Sequence, residues 1–367
     1  MTRKEFITGA AALSAAGVFA DSLNVVKGDS PELAASKKWF KEAQFGMMAH
    51  WGLYSILAGE WGGKRCGSYS EWIQWARKIP NKEYAKLATV FNPIFFDPKD
   101  WMKRARDAGM KYFVMTSKHH DGFAMYRSKV SKFNVVDATP FKRDVVEELA
   151  EACRDAGLKF GLYYSQDVDW SEPNGGGLFR KHHMKSEPRV WGNEWDFGHI
   201  KKEDYNFEEY LQSKSVPQVK EILTQYGDLC LIWFDVPMTS TLEQSTMFRD
   251  LVRKYQPGCL INGRIGNKMG DYHTPTDNAL AENTKKDELY EMVGTMNNSW
   301  GYHPTDTDYK TLETILGFKN RSKEIGSNYM LNIGPDHLGR IPAPGIKILD
   351  GLSQAYILEI LQTRIRI

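Results

Sequence analysis

Four stretches of the chain repeat one order of polar and apolar positions. The first, "FDPKDWMKRARDAGMKYFVMTSKHH", opens on Asp97 and Pro98, continues with apolar residues at helical spacing, meets Gly109, runs apolar and ends polar. An aspartate can cap the unpaired amides of a helix start, proline fits the first helical position, and glycine suits the stop. "KRDVVEELAEACRDAGLKFGLYYSQ" repeats the plan, with Val145, Leu149, Ala152 and Cys153 on one face and Gly157 at the stop. "VPQVKEILTQYGDLCLIWFD" does so from Pro217 to Gly227, and "MFRDLVRKYQPGCLINGR" ends its helix at Pro257 and Gly258. The strands are nearly unbroken apolar runs, as parallel strands covered on both faces are.

"AQFGMMAHWGLYS" before these units and "SNYMLNIGPD" after them bring the strands to six, and residues 279–300 have room for the remainder. The alternation predicts a (β/α)8 barrel of irregular form. A doubly wound sheet is the alternative. It would carry a glycine-rich phosphate turn after a strand, and neither GxGxxG nor GxxxxGK[ST] occurs.

Residues 1–20, "MTRKEFITGAAALSAAGVFA", have a charged start, an Ala-rich apolar stretch and small residues at the end. They read as an export signal, which places the protein in the periplasm or outside the cell. Residues 21–36 read as a linker, 37–350 as the catalytic domain and 351–367 as an atypical tail. No segment after the signal is long and apolar enough to span a membrane. Net charge is +2 with no long basic run, which argues against nucleic acid as a partner. Cys66, Cys153, Cys230 and Cys259 are scattered, form no CxxC, and read as small buried apolar residues. The 11 Trp and 17 Tyr suit a cleft for ligands with apolar faces and hydroxyl rims, such as sugars.

A barrel places its chemistry at the C-terminal strand ends. Here those ends carry His50 and Trp51, then His119, His120 and Asp121, then Tyr163, Tyr164 and Ser165, then Asp235, then Asn262 and Arg264. Asp235, beside Trp233, can act as nucleophile or base. A retaining glycosidase pairs such a carboxylate with a second acid about 5–5.5 Å away, held in a less polar place so that it stays protonated. Among the downstream acids, Asp271, Asp277, Glu282, Asp287, Glu288 and Glu291, only Glu291 has apolar neighbours on both sides. A metal site built from His50, His119, His120 and Asp235 is the competing reading. It lacks any HxH or HExxH spacing, and adjacent histidines serve one metal only if their strand has already ended.

At these residues the chain resembles the α-L-fucosidases of glycoside hydrolase family 29. The matching stretches are "WFKEAQFGMMAHWGLYS", "SEWIQWARKIPNKEYAKLATVFNP", "GMKYFVMTSKHHDGFAMYRS", "FKRDVVEELAEACRDAGLKFGLYYSQDVDW", "LIWFDVPM", "GTMNNSWGY" and "GSNYMLNIGPDHLGRIPAP". They stand in family order over roughly residues 38–345. The resemblance implies an exo-acting, retaining glycosidase that takes terminal α-L-fucose from glycans, with no metal or other cofactor. It implies Asp235 as nucleophile and Glu291 as acid/base. It implies His50, Glu71, Trp72, His119, His120, Trp233, Arg264 and one of Tyr163 and Tyr164, with Tyr164 preferred, as sugar ligands. Some members carry a carboxylate in a "TPE"-like stretch, where this chain reads "TPTDN" with Thr276 at that place and Asp277 next to it. Residues 174–199 form a long loop whose Trp191 and Trp195 suit a substrate subsite or a lid. Members commonly continue into a β-sandwich, and the fold expected here is a barrel without it. An α-L-galactosidase and a catalytically dead sugar-binding protein are the alternative functions. The sequence does not give the oligomeric state.

Overall fold

The computed structural model describes residues 28–365 apart from 68, 180, 184–187 and 283. The export signal expected at residues 1–20 lies outside the described residues. Seven strands form one parallel sheet: β1 (Phe45–Ala49), β2 (Tyr112–Lys118), β3 (Lys159–Tyr164), β4 (Leu231–Phe234), β5 (Leu260–Ile261), β6 (Tyr290–Thr295) and β7 (Ser327–Ile333). Their order is β6-β7-β1-β2-β3-β4-β5. β6 is the strand for which residues 279–300 left room. The sheet curls until its two edges nearly meet, and residues 272–277 bridge them. Asn262 pairs with Tyr272, His273 with Tyr290 and Asp277 with Val293, all in parallel. This eighth stave, held by isolated bridges, completes an irregular (β/α)8 barrel.

Seven longer helices accompany the strands: α1 (Pro31–Ala43), α2 (Pro98–Asp107), α3 (Val145–Ala156), α4 (Val216–Gln225), α5 (Leu242–Tyr255), α6 (Leu312–Glu324) and α7 (Ala343–Ile365). The capping signals work as read. The Asp97 carboxylate accepts from the amides of Lys99 and Asp100, and Asp144 from that of Glu147. Gly109 follows α2 with φ +82, where a Cβ would sit 2.6 Å from the Tyr356 ring of α7, so both its backbone and its neighbour exclude a side chain. Between β5 and β6 the described residues contain only a short 3-10 turn, Gly263–Ile265, in place of outer helices.

Three expectations change. Residues 31–36, read as linker, begin α1, because Ser30 caps the Leu33 amide and Pro31 takes the first helical turn. Pro217 does not start its helix. Helical backbone runs from Phe207–Tyr210 through a widened turn, Leu211–Ser215, into α4, and that turn accommodates a proline inside a longer helix. Of the tail read as atypical, residues 351–365 continue α7. Its apolar residues surround the helix instead of forming one stripe, with Leu349 and Leu352 buried and Ile357, Leu358 and Leu361 exposed, so no amphipathic period marks it.

The core has two layers. The outer one packs the strands against the helices. The inner one fills the barrel with Met48, Tyr112, Val114, Tyr163, Leu231, Trp233 and Met330, among others. Helix α1 closes the N-terminal end of this shaft. Phe40 inserts there, 1% exposed, with its ring 4.7 Å from Tyr272 and 6.1 Å from Tyr112. Burying such a side chain is worth roughly 2–3 kcal/mol. All four cysteines are buried and free.

Candidate active site

Strand alternation decides what reaches the open, C-terminal end. In β4, Leu231 and Trp233 belong to the inner layer while Ile232 and Phe234 belong to the outer one. Asp235 follows with the inward parity, just past the last paired residue. Its position is fixed from the backbone outward. The Asp235 amide donates to Gln166 Oε1 at 2.9 Å, and Gln166 Nε2 donates to the Arg264 carbonyl at 3.2 Å. One buried amide thus ties together the tips of β3, β4 and β5. The next residue, Val236, has φ +50, a costly conformation for a β-branched residue and one that turns the chain sharply away.

The Asp235 carboxylate accepts from Tyr163 Oη at 2.9 Å and from Arg264 Nη1 at 3.2 Å. The other terminal nitrogen of Arg264 donates to Asp277, on the eighth stave. One planar cation therefore holds two carboxylates, the inner one 12% exposed at its side chain and the outer one 34%. Arg264 also lies over the Trp233 ring, 4.7 Å from its centroid. Its two carboxylate partners hold its pKa above the ordinary value against the effect of burial.

Three histidines face this group. β2 ends at Lys118, so His119 and His120 lie beyond the regular alternation, and both rings reach the mouth, 4.2 Å apart. The His50 ring is 5.7 Å from His119 and 5.1 Å from Trp300. Burial lowers the His50 pKa to about 4, with the Asn332 bond opposing, and takes His119 and His120 well below the usual value. At neutral pH all three are uncharged. Among the described residues, no three His, Cys, Asp or Glu side chains are grouped to hold a metal ion.

Behind the histidines, Lys118 and Lys214 converge on Asp169 at 2.9 and 3.0 Å, with all three side chains nearly or fully buried. Burial alone would raise the Asp169 carboxyl, but the two ammonium groups hold it below its ordinary range. The loop it anchors returns the Trp170 amide to the His120 carbonyl at 2.7 Å. Trp72, from the turn Ser70–Trp72, sets its ring 4.9 Å from His120 and 5.2 Å from Trp191. Trp195 packs 6.4 Å from Trp170. Both tryptophans of the long loop therefore join an aromatic wall beside the mouth. Glu71, on the same turn as Trp72, accepts the Gly301 amide at 2.9 Å, and burial raises its carboxyl to about 7.

Two of the residues singled out in the sequence lie elsewhere. Tyr164 points outward, donating to Gln218 at 2.9 Å with Lys118 over its ring. Tyr163 is the tyrosine that faces the mouth. Glu291 is the second residue of β6 and sits deep in the shaft, fully buried. Its oxygens accept from Tyr112 Oη at 2.6 Å and Trp233 Nε1 at 3.0 Å, and burial raises its carboxyl to about 7 against those bonds. Asp235, Arg264, Trp233, His50, His119, His120, Glu71 and Trp72 assemble around the mouth. Gln166, Ser165, Asn332 and Tyr163 join them, and of these Tyr163 and Ser165 carried a sequence signal, their place at a strand tip.

A model of the alpha-L-fucosidase family matches residues 20–356. The tissue alpha-L-fucosidase of Bos taurus is 30% identical over 331 residues, which cover 83% of this chain and 63% of that protein. The chain thus spans less than two-thirds of that relative's length. The unliganded structure of alpha-L-fucosidase AlfC from Lactobacillus casei is 48% identical, with a TM-score of 0.84, and the match covers 90% of this chain and 99% of that one. The alpha-L-fucosidase structure from Vibrio sp. strain EJY3 is 36% identical, with a TM-score of 0.80, over 90% of this chain and 56% of that one. Structures of a mutant of the Lactobacillus casei protein hold 4-nitrophenyl-α-L-fucopyranoside and Fucα(1,6)GlcNAc. By the match of family, fold and sequence together, this chain belongs to the alpha-L-fucosidase family.

Proposed function

We propose that the protein is an exported, exo-acting glycoside hydrolase that removes terminal α-L-fucose with retention of configuration. The observation that carries the reading is the pair of carboxylates, Asp235 and Asp277, held on one guanidinium beneath three neutral imidazoles. Two acids separated by a single planar group suit double displacement, which needs close spacing, better than inversion, which leaves room for a water between them. Asp235 attacks the anomeric carbon as the bond to the leaving oxygen breaks. Asp277 protonates that oxygen, then takes a proton from the water that releases the sugar. Asp277 is preferred to Glu291 because it stands at the open rim, whereas both oxygens of Glu291 are engaged beneath Trp233. The imidazoles and the Trp72 face bind the sugar's hydroxyls and ring. The ligands of the Lactobacillus casei protein support an α-L-fucoside as substrate, an α1,6-linked N-acetylglucosamine being one leaving group.

The test is hydrolysis of 4-nitrophenyl α-L-fucoside beside the matching α-L-galactoside, with Asp235→Ala as control and NMR of the first-formed anomer. Fucoside turnover that gives the α product and dies in the variant supports the proposal. Preference for the galactoside moves the assignment to that sugar. A β product rejects double displacement, and binding without turnover of either sugar rejects catalysis.

A further inference from the structure

Two of the mouth histidines are wired to neighbouring strands in a way that fixes which ring nitrogen carries the proton. His120 Nδ1 lies 2.6 Å from Ser165 Oγ. The Ser165 hydroxyl has one proton, and it is committed to the Val168 carbonyl at 2.7 Å, which can only accept. Nδ1 must therefore be the donor to Oγ, and Nε2 is left without a proton. His50 Nδ1 lies 2.7 Å from Asn332 Oδ1. The Asn332 amide cannot be turned around, because its Nδ2 donates to the Trp300 carbonyl at 2.7 Å. Oδ1 can only accept, so His50 too is protonated at Nδ1 and bare at Nε2.

The geometry points to Ser165 and Asn332 as positioning residues that lock His120 and His50 in the Nδ1–H tautomer, so that the pocket meets its ligand with two proton-free nitrogens and selects hydroxyls that donate. The two locks have the same construction. Each comes from the tip of an adjacent strand, β3 for His120 on β2 and β7 for His50 on β1. Each lock residue passes its own proton on to a backbone carbonyl, so neither can reverse its role. Burial of both rings keeps the second proton off. His120 Nε2 is buried with no partner and stands 3.8 Å from Asp235 Oδ2, an acceptor facing an acceptor that calls for a donor between or beside them.

The tautomers themselves need no substrate, while their effect on specificity rests on the fucosidase reading. A ligand hydroxyl seated on either nitrogen is bound as a donor. A fluorine in its place has no proton to give and sets lone pairs against lone pairs. The lock therefore acts as a filter against acceptor-only substituents, at a cost of roughly tenfold per position.

The experiment has two arms. In the ligand-free protein at pH 7, long-range 15N–1H spectra should show His50 and His120 protonated at Nδ1 and unprotonated at Nε2. An Nε2–H pattern or an imidazolium at both positions overturns the proposal, and this arm needs no variant to fold. In the kinetic arm, kcat/KM is measured for an aryl α-L-fucoside and its 3- and 4-deoxyfluoro analogues. The wild type should disfavour at least one analogue about tenfold. Ser165→Ala and Asn332→Ala should shrink that ratio at least threefold, and Ser165→Thr should restore it. A structural role alone would lower both rates and leave the ratio unchanged, which also overturns the proposal. If no fucoside is turned over, the functional reading fails while the spectra still decide the tautomers.

Discussion

Asp235 and Glu291 both point into the barrel, and Trp233 separates them. Above it, at the mouth, Asp235 meets a tyrosine hydroxyl and a guanidinium that also holds Asp277. Below it, in the shaft, Glu291 has both oxygens taken by Tyr112 and by the indole itself. The two places share enclosure and differ in access. Burial raises the Glu291 carboxyl, but a group that must deliver a proton also needs a route to the leaving oxygen. Apolar flanks in the sequence report the first property and are blind to the second.

The comparison can be broken at four points. Asp235→Ala should lower kcat by about a thousandfold or more, as loss of a covalent nucleophile does, while thermal stability stays near wild type. Steady-state kinetics beside a melting curve checks both. Asp277→Asn should lower kcat/KM about 10²- to 10³-fold for an unactivated phenyl fucoside but only a few-fold for a dinitrophenyl one, whose oxygen leaves without help. Glu291→Gln should reduce both substrates by a similar factor. The opposite pattern would return the acid/base role to Glu291.

Glu291 also makes a prediction about pH. Its carboxyl is raised from 4.5 to about 7 in the folded chain. Between these values the folded state holds a proton that the unfolded state has lost, so stability falls as pH rises through this window and the loss is complete above about 7. The shift corresponds to roughly 3 kcal/mol. Melting temperatures from pH 4.5 to 8 should drop less steeply in Glu291→Gln than in the wild type. Glu71, also raised to about 7, contributes to the slope in both proteins and cancels in the difference. An unchanged slope would mean that Glu291 is not the buried acid described.

The smallest effect separates mouth from outer shell across one peptide bond. Tyr163→Phe removes a donor to Asp235 and should cost about tenfold in kcat with little loss of stability. Tyr164→Phe loses the bond to Gln218 and should cost about 1 kcal/mol in a denaturant titration while leaving kcat alone.

That pair shows where the sequence stops being informative. The helices, glycine stops and strands were legible because each unit follows a local rule, as Asp97, Pro98 and Gly109 do. Which tyrosine faces inward depends on register. Tyr163 lies opposite Trp233 and Tyr164 opposite Phe234, and with both faces of β3 apolar nothing local marks the inner one. The eighth stave was invisible for another reason. "YHTPTD" has no apolar run, because only isolated bridges hold it. Asp277 was passed over on the same ground, being set among polar neighbours. Ser165 is marked only by its place at a strand tip and Asn332 is an ordinary polar residue, until the folded chain brings each to a histidine at the neighbouring strand.

The eighth stave has one more consequence. The other staves are zipped along continuous ladders, whereas residues 272–277 touch their neighbours at separate points. The barrel therefore has a seam, and the outer carboxylate rides on it. In deuterium exchange, peptides spanning the seam should label well before those of β4, since opening there breaks few bonds. Asp235 follows a strand paired along a ladder and Asp277 lies on the seam, so under the double-displacement proposal the acid/base would sit where the barrel opens most easily, and early labelling confined to the seam is what that proposal expects.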